Sequence, residues 1–513
     1  MSSASVAVAR FVALVTLATL TACGPASEVR GTTITNVRII DGTGALAVSG
    51  ALRFIGDTIV AVGAVTAARG DTVIDGHGMV LAPGFIDTHS HHAGGLLRTP
   101  DALGAVSQGI TTIVAGNDGS HAMPLAETFD TLARVGPSVN VAYYAGHGTI
   151  RSAVMGDDFK RHATVREVDS MAVLLRRELD AGALGLSSGL EYDPGINSDR
   201  AEVLALAKVA AAAGGRYISH IRSEDRWFWD AIDEIIAIGR EAKLPVQVSH
   251  IKLGMLPLWG RTDTLLALLN AARSEGIDIT ADIYPYTYWS SSLTVLFPKR
   301  DFGNRAEANK VLREIAKPEG LLIGNFGANP TYAGRTVAEL AKLRHEDPAS
   351  TLMGLIREAL AWEQANPGED GESVVATGMS EGDIPTLMTW EHTNICSDGS
   401  LAGAHPRGYG AFTRVLGRYV RDERVMPLEV AIRKMTSLSA AHVGLARRGT
   451  LAPGQFADLV LFDPATVADR ATPAEPHLVS TGVVRVWVNG KTVWKDGQTV
   501  ASRTGRVLRR QDM

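Results

Sequence analysis

Histidines recur at the ends of three apolar runs. Phe85-Ile86-Asp87-Thr88-His89-Ser90-His91 closes on H-x-H, while Arg216-Tyr217-Ile218-Ser219-His220 and Val246-Gln247-Val248-Ser249-His250 each close on one histidine. In an extended strand alternate side chains share a face, so His89 and His91 project together. Paired neutral imidazoles suit a borderline cation such as Zn²⁺. One H-x-H is a weak signal, because a surface cluster with His92 gives the same pattern. Four histidines at three strand ends, one repeat apart, outweigh it. A further strand through Thr393–Cys396 runs into Ser397-Asp398-Gly399. A carboxylate there can ligate metal and also take a proton from water that a metal has acidified to a pKa of about 7. A turn aspartate before glycine is the plain alternative. The chemistry expected is metal-dependent hydrolysis, with Asp398 as the base.

These residues need a frame that brings distant strand ends together. Apolar runs end near His89, Asp118, His147, Glu191, His220, His250, Tyr284 and Asp398, at intervals of 29, 29, 44, 29, 30, 34 and 114 residues. About 30 residues is one strand–helix–return unit. Eight such ends predict an α/β fold, a (β/α)₈ TIM-like barrel over residues 81–444. An open doubly wound sheet is disfavoured because its glycine-rich phosphate fingerprint is absent. The last interval is too long by roughly 80 residues, which places an insertion at about 290–389, with helices over Ala306–Ala316, Val337–Leu343 and Thr351–Glu363. On the catalytic face it is placed to act as a lid. Short strands with Gly/Asp turns occupy 32–80 and 445–500, and predict one small β-sandwich domain built from both chain ends.

The 513 residues are 45% apolar and 20% charged, enough for a large core plus a smaller domain, and the net charge of −5 gives no basis for nucleic-acid binding. A small-molecule partner is expected. Residues 1–22 read as a signal peptide, with an apolar run from Phe11 to Leu20 too short to span a bilayer. Leu20-Thr21-Ala22-Cys23-Gly24 resembles a bacterial lipobox, so Cys23 is the expected lipidation site, followed by a tether over 23–31. An ordinary secretory signal with an incidental cysteine is the alternative. The expectation is an exported lipoprotein on the periplasmic or cell-surface side, anchored to the membrane only by lipid. Only Cys396 remains beyond Cys23, which leaves no internal disulfide in the mature fold. Residues 501–513 form a tail.

Taken together the motifs resemble the amidohydrolase superfamily, and more closely its D-aminoacylase (N-acyl-D-amino-acid deacylase) branch. The stretches that carry the resemblance include Ala82-Pro83-Gly84-Phe85-Ile86-Asp87, Gly146-His147-Gly148, Ser187-Ser188-Gly189-Leu190, His220-Ile221-Arg222-Ser223-Glu224, Ser249-His250-Ile251-Lys252, His405-Pro406-Arg407 and Gly454-Gln455-Phe456-Ala457-Asp458. It spans nearly everything from 32 to 500. The resemblance implies one or two zinc ions held by His89, His91, His220, His250 and Asp398, and removal of the acyl group from an N-acyl-D-amino acid. Many members place a cysteine in an Asn-Cys-Gly sequence after the second strand, where this chain has Asn117-Asp118-Gly119. Related barrels instead carry a carboxylated lysine on the fourth strand, and Ala183–Tyr192 has none. Glu191 is the expected metal-bridging replacement; Asp118 in that place, or a single metal, are the alternatives.

A substrate carboxylate calls for cationic partners, for which Arg222, Lys252 and Arg407 are candidates. Each is equally open to an internal ion pair, such as Arg222 with Glu224 or Asp225. Tyr192, Tyr284 and Tyr286 are candidate pocket walls, and His147 a candidate support to the ligands. A dipeptidase acting before a C-terminal D-residue, a cyclic-amide hydrolase and a non-catalytic binding barrel are the competing readings.

Overall fold

The computed structural model describes Met1 and residues 30–512; Cys23, with the signal and tether, lies outside the described residues. No helix among the described residues is long and apolar enough to cross a membrane.

Alternating side chains build the first sheet. Leu81, Leu459 and Leu461 face a small core with Ile34, Leu52, Phe54 and Trp487. Their neighbours Val80, Ala82, Val460 and Phe462 face the main core. Period-two alternation therefore buries both faces of these strands. Among the described residues the sheet has nine strands and draws on both chain ends: Leu459–Phe462 pairs with Val80–Pro83, which pairs with Thr32–Ile39. Two separate facing sheets were expected. Instead the strands form one hydrogen-bonded sheet that curls on itself, since Ile59 N donates to Gln455 O at 2.9 Å and Ala457 N to Asp57 O at 2.7 Å.

The middle of the chain is α/β, with eight parallel strands among the described residues. They are β1 (Phe85–Asp87), β2 (Ile110–Ala115), β3 (Asn140–Tyr143), β4 (Gly185–Gly189), β5 (Arg216–His220), β6 (Val246–Val248), β7 (Ile279–Ile283) and β8 (Thr393–Ile395). β1–β2–β3 form one ladder, and β4 to β8 pair in sequence order. Two connections join these ladders. Leu184 N donates to Tyr143 O at 2.8 Å, and Ala145–Gly146, just past β3, pairs with β4. At the other margin Asp398 N donates to His89 O at 2.9 Å beside a parallel bridge from Ser90 to Gly399. The strand ends match the beat read from the sequence: His89, Asp118, His147, Glu191, His220, His250, Tyr284 and Asp398 all lie within four residues of the end of their strand. Amphipathic helices such as Val165–Ala181 and Phe228–Ala242 cover the strands.

Between β7 and β8 the insertion carries helices Arg305–Glu314, Val337–Arg344 and Pro348–Ala365, and also an antiparallel sheet of Tyr288–Ser291, Glu372–Thr377 and Leu321–Phe326. Short, irregularly patterned strands hid that sheet from the sequence reading. Glu372 pins it to the site: its Oε1 accepts from Leu293 N at 2.6 Å, while Oε2 has no partner. Burial, with Glu363 and Asp370 nearby, pushes the Glu372 carboxyl up to about 8. A raised acid contributes stability below its unfolded pKa and loses it as pH climbs through the folded one. Between pH 5 and 8 the Tm of the native chain should fall relative to that of Glu372→Gln, which carries no charge; parallel pH profiles would refute this.

The last residues are not a free tail. Val507 bridges Val141, Leu508 packs against a cluster with Ile86 and Tyr144, and Arg510 donates to the Ala183 and Leu179 carbonyls at 3.1 Å.

Candidate metal centre

Strand ends deliver five of the predicted residues to one point. His89 follows β1, His220 ends β5, His250 follows β6, and all three are buried. His91 stands at the rim with a 40% exposed side chain. Asp398 follows β8 and is 5% exposed. The backbone works to aim these groups. Asp118, His250 and Asp398 adopt φ of 53°, 34° and 49°, in the left-handed region that β-carbons disfavour. Strain of this kind persists where the surroundings over-determine it, and it clusters at functional sites.

Asp118 lies at the centre. Its Oδ2 is 3.3 Å from both His89 Nε2 and His91 Nε2, and its Oδ1 is 3.6 Å from His250 Nε2. Asp398 Oδ1 approaches His91 Nε2 at 3.1 Å and His89 Nε2 at 3.5 Å. One donor atom each from His89, Asp118, His250 and Asp398 falls within a 4.8 Å span, and a second such group joins His220, Glu224 and His250. Ligands ~2.1 Å from a tetrahedral zinc sit about 3.4 Å apart. The observed separations fit that spacing. His220 Nδ1 lies 3.0 Å from His250 Nε2, two ring nitrogens turned on one point. Asp118 Oδ1 and His89 Nδ1 are buried without a hydrogen-bond partner. The donor set thus fits a divalent cation of the zinc type.

Burial favours the neutral rings, but without a cation the crowded carboxylates Asp118, Asp398 and Glu224 hold His89, His91 and His250 above the usual imidazole range, while His220 goes the other way. Burial, with His250 beside it, drops His220 to about 4, leaving the neutral imidazole a metal requires. For Asp118 burial opposes ionisation, but His89, His250 and His91 outweigh it and hold the carboxyl well below the usual range. Asp398 behaves likewise, with Arg407 as the strongest opposing influence.

Glu191 is elsewhere. Its Oε2 lies 2.9 Å from His220 Nε2, on the ring edge opposite His250, so it meets one ligand and does not bridge the centre. The carboxylate among several histidines is Asp118, because the turn after β2 places it between His89, His91 and His250, while Glu191 after β4 lines the cleft and meets His220 alone. Burial, with Asp225 and Glu224 adding repulsion, pushes Glu191 well above the usual carboxylate range. Arg222 also departs from expectation. It is locked to Glu234 by two bonds of 2.8 Å and donates to Ser198 O, so it faces the helical layer and is absent from the cleft wall. His147 likewise turns away, to Glu202 at 2.8 Å. Tyr286 lies under Arg414, outside the cleft lining.

Lys252, Arg407, Tyr192 and Tyr284 do line a cleft beside the histidines, with about 500 Å³ of empty volume including its open mouth. Arg407 Nη1 meets Asp398 Oδ2 at 2.6 Å, and its guanidinium lies 4.8 Å above the Tyr284 ring. Lys252 Nζ meets Glu224 Oε1 at 2.5 Å, and Tyr192 Oη lies 3.2 Å from His220 Nδ1. Tyr284 Oη is buried and unpartnered. Sequence reasoning missed Glu224 and Asp282. Glu224 Oε1 lies 2.9 Å from His250 Nδ1, and Asp282 accepts from His250 N at 2.6 Å while standing 3.7 Å from His89 Nδ1. A signal existed: Thr280 and Asp282 are polar at alternate positions of the otherwise apolar β7.

Comparisons with known proteins point one way. The family described as "Amidohydrolase family" matches residues 72–319 and 327–494. The D-aminoacylase of Alcaligenes xylosoxydans xylosoxydans is 35% identical over 92% of this chain and 96% of its own length. The N-acyl-D-aspartate deacylase of the same organism is 37% identical over 93% and 94%. Among solved structures, the N-acyl-D-glutamate deacylase of Bordetella bronchiseptica, complexed with zinc and a phosphonate inhibitor that mimics the tetrahedral intermediate, superposes with a TM-score of 0.83. It is 35% identical and covers 94% of this chain and 100% of its own.

Proposed function

The chain belongs to the amidohydrolase family, and from that premise we propose that it removes the acyl group from N-acyl-D-amino acids. One observation carries the reading: His89, Asp118, His250 and Asp398 converge on one point beside a cleft that also presents Arg407 and Lys252. The activities in the names of the relatives support it.

His89, His91, Asp118, His220, His250 and Asp398 would hold one or two zinc ions, which supply Lewis acidity and bring bound water to a near-neutral pKa. Asp398 accepts the proton of the attacking water at its carboxylate and returns it to the leaving nitrogen. Arg407, Lys252 and the free hydroxyl of Tyr284 receive the substrate carboxylate, the guanidinium in bidentate fashion. Docking there draws Arg407 from Asp398, which frees the base when substrate is in place. Glu191 and Glu224 accept from the far ring nitrogens of His220 and His250 and set their orientation. The eight parallel strands, joined at Ser90–Gly399 and Tyr143–Leu184, close as a (β/α)₈ barrel in this reading. Lipidation at Cys23 stays a proposal from sequence; fatty-acid label retained by Cys23→Ser would refute it.

A screen of paired D- and L-N-acetyl amino acids, with D/L dipeptides and cyclic amides included, tests the reaction. Turnover of the D-acyl series is expected, and turnover confined to dipeptides or cyclic amides would overturn it. For Glu191→Ala the expected result is zinc affinity weakened by about 10–100-fold with unchanged stoichiometry at saturation. Loss of one ion per chain at saturating zinc would restore Glu191 as a bridge.

A further inference from the structure

Resting on the deacylase reading above, we infer that the amino-acid side chain accepted by this site is neutral and apolar. The relatives are named for acidic as well as unspecified D-residues, so the family does not decide the question. The cleft lining does.

Two cations line the cleft, Lys252 and Arg407, and the deacylase reading assigns both to the α-carboxylate. An acidic side chain would need a third. The nearest in sequence, Arg226, is engaged by Asp225 at 2.5 Å and by Glu307, and is absent from the wall. The remaining lining residues able to carry full charge include Glu224, Asp225 and Asp398, all acids. A second substrate carboxylate would be desolvated beside like charge with no partner, which is strongly unfavourable. Against this stands an apolar wall contributed by the insertion, made of Trp289, Val295, Leu296 and Ile315. Leu296 and Ile315 are each 3% exposed, so this wall is held firmly. A basic side chain finds no free acid either: Glu191 is held by His220, Asp225 by Arg226, Glu224 by His250 and Lys252, and Asp398 by His91 and Arg407. What remains is the apolar wall, with the uncharged Ser290 and Ser291 beside it. The insertion thereby sets specificity while the strand ends carry the reaction.

The test uses the zinc-loaded full chain and four substrates: the N-acetyl derivatives of D-leucine, D-glutamine, D-glutamate and D-lysine. The kcat/KM for D-leucine should exceed those for D-glutamate and D-lysine by at least about 100-fold. D-glutamine should fall between, separating charge from shape. Any smaller ratio, or a preference for either charged residue, overturns the inference and leaves the deacylase reading standing. Hydrolysis of none of the four overturns both. In Leu296→Arg, at native zinc content, the D-glutamate to D-leucine ratio should rise at least tenfold. An unchanged ratio removes the wall from the side-chain subsite.

Discussion

Asp398→Asn should lower kcat by about 10³-fold while changing KM less than tenfold. The size follows from what one carboxylate does here: a general base contributes about 10²–10⁴ in rate. Asn keeps the shape and one oxygen toward His91, where Asp398 Oδ1 sits 3.1 Å from Nε2, but it cannot take a proton. Arg407 complicates the variant. It is buried and loses its 2.6 Å partner, so thermal stability should fall as well. A kinetic comparison at a temperature where both proteins are folded, confirmed by circular dichroism, isolates the chemical effect. Zinc content should be partly retained, because the histidines and Asp118 remain. A variant with more than a tenth of native kcat would exclude Asp398 as the base.

The second large effect is expected at Asp118. Replacement by alanine removes the one carboxylate that approaches three histidines, at 3.3, 3.3 and 3.6 Å. The imidazoles of His89, His91 and His250 would then share a cation with Asp398 as the remaining carboxylate of the group. Zinc affinity should weaken by at least about 100-fold, measured by competition with a chromophoric chelator, with activity lost in parallel at limiting metal. Asp118→Cys supplies the thiolate that the sequence resemblance implies for the turn after β2. A Zn–S bond of about 2.3 Å is only slightly longer than a carboxylate bond of about 2.0–2.2 Å, so the cysteine variant should bind zinc far better than the alanine variant. Equal zinc affinity in native and alanine proteins would show that Asp118 is not a ligand.

Much of this centre was legible in the residues themselves. Strand runs closing on His89, His91, His220 and His250, and one aspartate after the last strand, are local signals, because backbone periodicity alone puts alternate residues on one face. The roughly 30-residue beat announced the α/β frame for the same reason. Charged partners were not legible. Arg222 lies two residues beyond His220, yet it belongs to Glu234 on the covering helix, and nothing in the chain near it says which way the turn after β5 sends a long side chain.

The metal-centre carboxylate makes the point most sharply. From sequence, Glu191 and Asp118 both followed a strand, and both stood where relatives place a bridging group. The choice between them depended on turn geometry. Asp118, at φ 53°, folds back over the strand ends toward His89 and His91, while Glu191 meets the outer edge of the His220 ring. Composition and spacing by themselves therefore determined which element ends carry the clustered histidines and aspartate, since hydrophobic patterning is a property of short segments. Only the tertiary structure decided which carboxylate joins the histidines, which cations line the cleft and which residues of the insertion wall it. Those depend on distances of a few ångströms between segments far apart in the chain.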